Sequence, residues 1–287
     1  MSANKSIIPK FILITGCSSG IGLHCAQRLQ ADGYQVIASA RNLEDVERLT
    51  QLGLQTIQLD LDDSQSIQTA VEETLQICDG RLYGIFHNGA YGQPGAVEDL
   101  SREVLRAQLE TNVLGWHELT CLLLPALRQQ GYGRIVYNSS VLGFVAMAYR
   151  GAYNCSKFAL EGLVDTLRLE LHDTDIKLSL IEPGPISSNF RKNALVKFQQ
   201  HIDTENSPHA ANYQAMLARL EKEGPAAPFT LPPEAVYKSL KHALESRRPR
   251  IRYRVTFPTK LFALLKRLFS SRLNDKLLIK ASGGGSR

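Results

Sequence analysis

The stretch ITGCSSGIG, residues 14–22, restricts the fold of this chain more than any other. It joins a strand-like run, residues 11–15, to residues 20–32, where Ile21, Cys25 and Leu29 recur at helical spacing. A strand that turns directly into a helix needs residues without a Cβ at the turn, and Gly16, Gly20 and Gly22 supply them. The same glycines let a ligand approach the backbone. The helix start adds free N–H groups and the positive end of a dipole, which suits a pyrophosphate. A glycine-rich loop can equally be a turn and nothing more; its place after the first strand favours the binding reading. A triphosphate-binding loop needs Lys and then Ser or Thr after its last glycine, whereas Leu23 and His24 follow Gly22.

Short apolar runs alternate with helix-period segments along the rest of the chain, the pattern of βαβ units and a parallel sheet. Further strands are expected at residues 36–40, 56–59, 85–87, 135–137, 178–181 and 251–255. An amphipathic helix is expected around Ile67, Val71 and Leu75, and a long one over 152–172 with Leu160, Leu163, Leu167 and Leu171 on one face. The expected architecture is one α/β domain, residues 1–256, with a doubly wound, Rossmann-type parallel sheet of about seven strands in three layers. Residues 187–233 are richer in polar residues and interrupted by NSPHAAN and EGPAAPFTLPPE. They read as a substrate loop or lid. The end, 281–287, reads as a disordered tail.

In such a fold the end of the second strand meets the adenosine ribose, where an acid favours NAD and an Arg accommodates the 2′-phosphate of NADP. Here that strand ends in Ala40, Arg41 and Asn42, with no carboxylate at 40 or 41. NADP is the expected cofactor, with Arg41 in its site; the plain alternative for Arg41 is a solvated strand-end charge.

The net charge of +5, from 33 basic and 28 acidic residues, is too small to indicate a nucleic-acid partner. Cys17, Cys25, Cys78, Cys121 and Cys155 form neither a paired framework nor a CxxC pattern, so no disulfide scaffold or metal site is expected. Reduced thiols fit the cytoplasm, and no secretory leader or run long enough to span a bilayer is legible.

GAYNCSK, residues 151–157, sets Tyr153 and Lys157 one helical turn apart on one face. Alone, this is ordinary helix surface. Ser140, thirteen residues before Tyr153 at the end of the fifth strand, brings a hydroxyl toward the same crevice. Free tyrosine titrates near 10, and lowering it to about 7 takes roughly 4 kcal/mol of phenolate stabilisation, much of which one nearby cation can contribute. In reduction the neutral phenol already carries the proton needed, and Ser140 stabilises developing oxyanion charge.

TGCSSGIG, the HNGA after strand four, Thr111-Asn112, Ser140, Tyr153 and Lys157 stand in the order and approximate spacing of one family. On these motifs, over about residues 11–255, the sequence resembles the short-chain dehydrogenase/reductase family. RLYGIFHN, GRIVYNSSV and SLIEPGPISSNF resemble a bacterial NADP-dependent aldehyde-reductase branch, itself similar to retinol and 17β-hydroxysteroid dehydrogenases. The resemblance implies Tyr153 as general acid or base and Ser140 as hydrogen-bond donor to the carbonyl oxygen. Lys157 would bind the nicotinamide ribose and lower the Tyr153 pKa, and Asn112 would hold a relay water. It also implies cofactor contacts from Ser18, Ser19 and Ile21 beside the three glycines, from Asp60 to adenine, from Asn88 in the cleft, and from Pro183, Gly184, Ile186 and Ser187 near the nicotinamide. Two departures stand out. The family's usual Asn-Asn-Ala-Gly is His87-Asn88-Gly89-Ala90 here, and its usual Thr after strand six is absent, with Ser187 or Ser188 in reach. His87 reads as a packed or hydrogen-bonded histidine, and Cys155 as a space-filler on its helix.

The expected substrate is a small carbonyl or alcohol compound, and the apolar loop 141–148 favours a hydrophobic one. Reduction of aldehydes or hydrophobic ketones is the leading expectation. A retinol- or steroid-type alcohol dehydrogenase and a noncatalytic NADP-binding sensor are the alternatives. A homo-oligomer is implied by the resemblance alone. Residues 257–280 form a basic, amphipathic helical extension, with Leu261, Leu265 and Leu268 at helical spacing and Lys260, Lys266, Arg267 and Arg272 nearby. It reads either as a cover for the core or a subunit interface, or as a peripheral contact with an anionic membrane.

Overall fold

A computed structural model describes residues 9–224 and 227–281. The chain begins with β1 (Phe11–Ile14), α1 (Gly20–Ala31), β2 (Gln35–Ala40), α2 (Leu43–Gln51), β3 (Gln55–Gln58), α3 (Ser64–Ile77) and β4 (Leu82–His87). It continues through α4 (Arg102–Leu109), a π-helical turn (Glu110–Leu114), α5 (Gly115–Gln130), β5 (Tyr132–Asn138), α6 (Gly151–Glu170) and β6 (Asp175–Glu182). After these come α7 (Phe190–His201), α8 (Ala210–Glu221), α9 (Glu234–Glu245), β7 (Arg252–Arg254), α10 (Phe257–Leu268) and α11 (Ser271–Ala281). The seven strands form one sheet in the order β3-β2-β1-β4-β5-β6-β7, and every neighbouring pair is parallel. Winding reverses between β1 and β4, so a crevice opens at their carboxyl ends.

A parallel sheet covered on both faces needs apolar residues at successive positions, and alternate side chains then serve opposite layers. Leu13, Ile85, Ile135 and Leu178 pack with Trp116, Leu119 and Leu160 on the α3–α5–α6 side. Ile12, Ile14, Phe86 and Val136 pack with Cys25, Leu29, Leu49 and Leu240 on the α1–α2–α9 side. The expected three-layer doubly wound fold is therefore the one observed.

Several local expectations change. Strand one stops at Ile14, strand five at Asn138, and the last strand is only Arg252–Arg254. On α6, Leu163 is exposed and Val164 is buried in its place: with 3.6 residues per turn, the row continuing from Leu160 passes through 164. Cys155 is exposed and does not fill space in the packing.

The substrate segment, expected as a loop, contains α7 and α8 with a small core of their own, in which Phe198 and Tyr213 stack edge-to-face at 5.2 Å. Few positions of these short helices are buried, among them Ala194, Phe198, Tyr213 and Leu220, so the helical period is weak in the sequence. The C-terminal extension is two helices that part at Phe269 and Ser270. Ala281, expected in the tail, ends α11; residues 282–287 of that tail lie outside the described residues.

Candidate active site

The glycine loop closes on itself where β1 becomes α1. Gly16 and Gly20 have φ of +69° and +58°, a backbone region L side chains rarely occupy. A Cβ on Gly22 would lie 2.2 Å from the Gly16 carbonyl oxygen, so only glycine fits there. Ser19 caps α1 in an extended conformation without a side-chain hydrogen bond to the helix, which leaves the first N–H groups for a ligand. Asn88, just past β4, holds the loop from the other side. Its Nδ2 donates to the carbonyls of Thr15 and Gly16, both at 3.1 Å, and its Oδ1 accepts from Asn138 Nδ2 at 2.9 Å. Gly89 packs so closely under Gly16 that a Cβ there would sit 3.2 Å from the Gly16 nitrogen.

His87 is fully buried, stacks on Tyr137 at 4.6 Å and shares a hydrogen bond of 3.0 Å with Thr120. Burial pushes its pKa down to about 3, so it is neutral, a packing residue as expected.

At the adenosine end, Arg41 is exposed at the tip of β2. The sequence reading missed a second cation, which touches the glycine loop. Arg48, on α2, donates to the Ser18 carbonyl at 2.6 Å and to Asp45 Oδ1 at 2.7 Å, which places its guanidinium on the glycine loop itself. Asp60, two residues past β3, accepts from the Asp62 N–H at 3.1 Å, while its own N–H donates to Ser66 Oγ at 2.9 Å.

The central cluster is built by β5, α6 and the π-helical turn. Ser140 is buried just beyond β5, and its Oγ accepts from the Leu142 N–H at 3.1 Å, which fixes the hydroxyl over the crevice. Tyr153 is half-buried on the first turn of α6. Burial pushes its phenol pKa above the ordinary value of 10, while a hydrogen bond with Ser140 pulls the other way. Removal from water dominates, so the lowering expected from Lys157 does not prevail. Lys157 is itself almost fully buried and donates to the Asn138 carbonyl at 2.9 Å. Burial pushes its pKa down to about 7, against a smaller opposing effect of Glu161. Asn112 lies in the π-helical turn, where its Nδ2 donates to the Tyr91 carbonyl at 2.9 Å and to Ser156 Oγ at 3.1 Å. It ties that turn to α6, one residue from Lys157.

The sequence reading also missed Phe190 and Gly92. Phe190, the first residue of α7, meets the Tyr153 ring edge-on at 5.3 Å. A Cβ on Gly92 would lie 2.7 Å from the Phe190 ring and 3.5 Å from the Tyr153 ring, so the glycine makes the room in which both sit. Neither residue has a sequence neighbourhood that signals this contact. Pro183 to Ser187 run from β6 across the same crevice. The Pro183 carbonyl accepts from Val141 at 2.8 Å, and Ile186 pairs with Leu231 as an isolated bridge. A Cβ on Gly184 would lie 2.2 Å from the Thr256 hydroxyl, so this run is held against the start of α10.

Residues 10–197 match the sequence model of the family described as short chain dehydrogenase. This chain belongs to the short-chain dehydrogenase family. It is an oxidoreductase of that family, and it is 42% identical to an uncharacterized oxidoreductase of Escherichia coli K12, YbbO, over 95% of each chain. It is 33% identical to the human 17-beta-hydroxysteroid dehydrogenase type 1, over 92% of this chain and 81% of the relative. A short-chain dehydrogenase from Streptomyces avermitilis has the same fold at a TM-score of 0.76, with 27% identity and full coverage of both chains.

The short-chain dehydrogenase crevice fits a dinucleotide on three observations of its own. The loop from Gly16 to Gly22 admits a backbone-hugging ligand, α1 offers uncapped N–H groups, and Asn138 Oδ1 is buried with no hydrogen-bond partner among the described residues.

Proposed function

We propose that this protein is an NADP-dependent reductase of aldehydes or hydrophobic ketones, with Tyr153 as the proton donor. The observation that carries the reading is the Lys157 ammonium. It is buried and without an ion-pair partner among the described residues, next to a phenol that is hydrogen-bonded to Ser140. A buried, unpaired cation is costly to stability and common where chemistry needs it.

A bound nicotinamide dinucleotide supplies the hydride. The main chain and hydroxyls of Gly16, Ser18, Ser19, Gly20, Ile21 and Gly22 would hold its pyrophosphate at the start of α1. Asp60 would meet the adenine, and Arg41 with Arg48 would supply positive charge for a 2′-phosphate. Asn88 and the run Pro183, Gly184, Ile186 and Ser187 would line the nicotinamide end. Lys157 would bind the adjacent ribose hydroxyls.

Ser140 donates to the carbonyl oxygen of the substrate as negative charge develops there, and Tyr153 transfers its proton to that oxygen. The upward push on the Tyr153 phenol keeps it protonated at neutral pH, which suits reduction. Lys157, with a pKa of about 7, sits where its charge can stabilise the phenolate left behind. Asn112 holds the π-helical turn against Ser156 and would anchor the water that returns a proton toward Lys157.

The substrate would lie between Val141, Leu142 and Val145 on one side and Phe190 on the other, an apolar setting. A steroid- or retinol-type alcohol dehydrogenase is the second reading, favoured by that apolar wall and by the likeness to the human steroid enzyme. A noncatalytic dinucleotide sensor has no use for Ser140, Tyr153 and Lys157 together. Cytoplasmic residence and a homo-oligomer complete the reading; exposed Leu114 and Leu122 beside and on α5 offer an apolar contact for the latter. An NADPH-oxidation screen across aldehydes, ketosteroids, retinal and quinones tests the function. Consumption of NADPH with an aldehyde or apolar ketone supports it, and inactivity on every class contradicts it.

A further inference from the structure

The outer face of α10 carries an uncovered apolar ridge. Phe257, Leu261, Leu264 and Leu268 fall at i, i+4, i+7 and i+11, one stripe of the helix, and are 56%, 38%, 54% and 67% exposed. Phe229, itself exposed, extends the ridge by packing on Phe257 at 5.1 Å.

The opposite side of the same helix pair is docked. Phe262 of α10 and Leu278 of α11 pack on the cluster of Val141, Leu142 and Val145 beside Tyr153. Lys266 donates to the Phe144 carbonyl and sits 5.4 Å over the Phe158 ring. The two helices are thus a wall of the substrate crevice whose outer surface nothing covers among the described residues.

Charge says what that surface fits. Residues 257–281 contain six cations, Lys260, Lys266, Arg267, Arg272, Lys276 and Lys280, against the single carboxylate of Asp275. Their net +5 equals that of the whole chain, so the remainder of the protein is electrically balanced. A twofold pairing of two such faces would set cations against cations, which opposes a second copy as the occupant. An apolar stripe flanked by Lys and Arg is the pattern of a helix that lies in the interface of an anionic bilayer. Spanning is a different matter: no helix among the described residues is long and apolar enough to cross a membrane.

We propose that α10 and α11 form a platform that seats the protein on an anionic lipid surface, with the substrate crevice directly above it. The Phe257–Leu268 stripe enters the acyl boundary, and Lys260, Arg267, Arg272, Lys276 and Lys280 meet the headgroups, Lys266 being held on the docked side.

The test is co-sedimentation of the full-length protein with phosphatidylcholine vesicles, with and without phosphatidylglycerol, at low and high salt. Two variants accompany it: Leu264→Glu with Leu268→Glu, and Arg267→Gln with Arg272→Gln and Lys276→Gln. The expected result is binding at least about tenfold stronger to the phosphatidylglycerol vesicles, falling with salt. The glutamate variant should lose about tenfold or more on those vesicles, and the glutamine variant should lose the lipid preference, each with an unchanged melting midpoint. Should a variant fail to fold, the lipid and salt dependence of the wild type still decides. Equal, weak binding to both vesicle types overturns the proposal. So does a dimer in sedimentation velocity that Leu264→Glu dissolves, because the face then pairs with a second copy. Both readouts are independent of turnover, so inactivity in the NADPH screen leaves this result standing and failure here leaves the reductase reading standing.

Discussion

The Lys157 ammonium lies 5.7 Å from the centre of the Tyr153 ring and 4.3 Å from that of Trp116. Its hydrogen bond to the Asn138 carbonyl fastens α6 to the end of β5. Two aromatic faces and one carbonyl dipole compensate only part of what the cation loses on leaving water, so its pKa falls to about 7. The same side chain is a cost to the fold and an asset to the proposed chemistry.

Lys157→Met separates the two. Turnover should fall by about a hundredfold or more, since the phenolate loses its nearby cation. The variant should nevertheless melt higher near pH 7, by roughly 2–4 °C for each kcal/mol recovered. The sign with pH follows from linkage. The folded Lys157 pKa is about 7 and the unfolded one near 10.4, so the unfolded chain binds more protons between them. The penalty in the wild type is complete below pH 7 and fades as pH rises toward 10. The gap in melting midpoint between variant and wild type should narrow over that window in a calorimetric series. A constant gap contradicts the assignment.

Arg41 and Arg48 differ in how they stand. Arg41 is exposed at the end of β2, whereas Arg48 is tethered to Ser18 and Asp45. Arg41→Asp should shift the ratio of kcat/KM values from NADP(H) toward NAD(H) by about tenfold or more, because a carboxylate there repels the 2′-phosphate. Arg48→Ala should weaken binding of both dinucleotides by freeing the glycine loop, with a larger loss for NADP(H). Steady-state kinetics with each cofactor measures the first and titration by nucleotide fluorescence the second, and an unchanged kcat/KM ratio for Arg41→Asp removes that residue from the site.

Much of this arrangement is legible in the sequence because it rests on local rules. The glycine loop, each strand or helix and the Tyr153–Lys157 spacing are each set by residues close together along the chain. What is not legible depends on contacts between distant segments. Phe190 reaches Tyr153 across thirty-odd residues and only because α7 folds back over the crevice. Arg48 reads as solvated helix charge until α2 lays it on Ser18. The pKa of Tyr153 is a third case: a motif sets its neighbours but not its desolvation, and burial is what wins. Leu163 shows the limit of periodicity, since the leucine row lies one residue off the buried stripe through Val164.

Gly22→Ala tests the loop without touching any reacting group. Its Cβ would meet the Gly16 carbonyl oxygen at 2.2 Å, and backbone must move to relieve it. The expected cost is about 1–3 kcal/mol of stability, seen as a lower denaturant midpoint. NADP(H) affinity should fall by at least about tenfold, since the shifted loop withdraws N–H groups from the pyrophosphate. A variant with native stability and affinity would show that the loop has slack the geometry denies.

Tyr153→Phe probes the central claim most directly, by removing one oxygen from a ring that keeps its packing against Phe190. The measurement is the rate of NADPH consumption with the best carbonyl substrate of the wild type, alongside NADPH binding by fluorescence. The expected result is a loss of about a thousandfold or more in kcat with nucleotide affinity changed by less than about threefold. Retained turnover, with the hydroxyl gone and the cofactor bound, would contradict it.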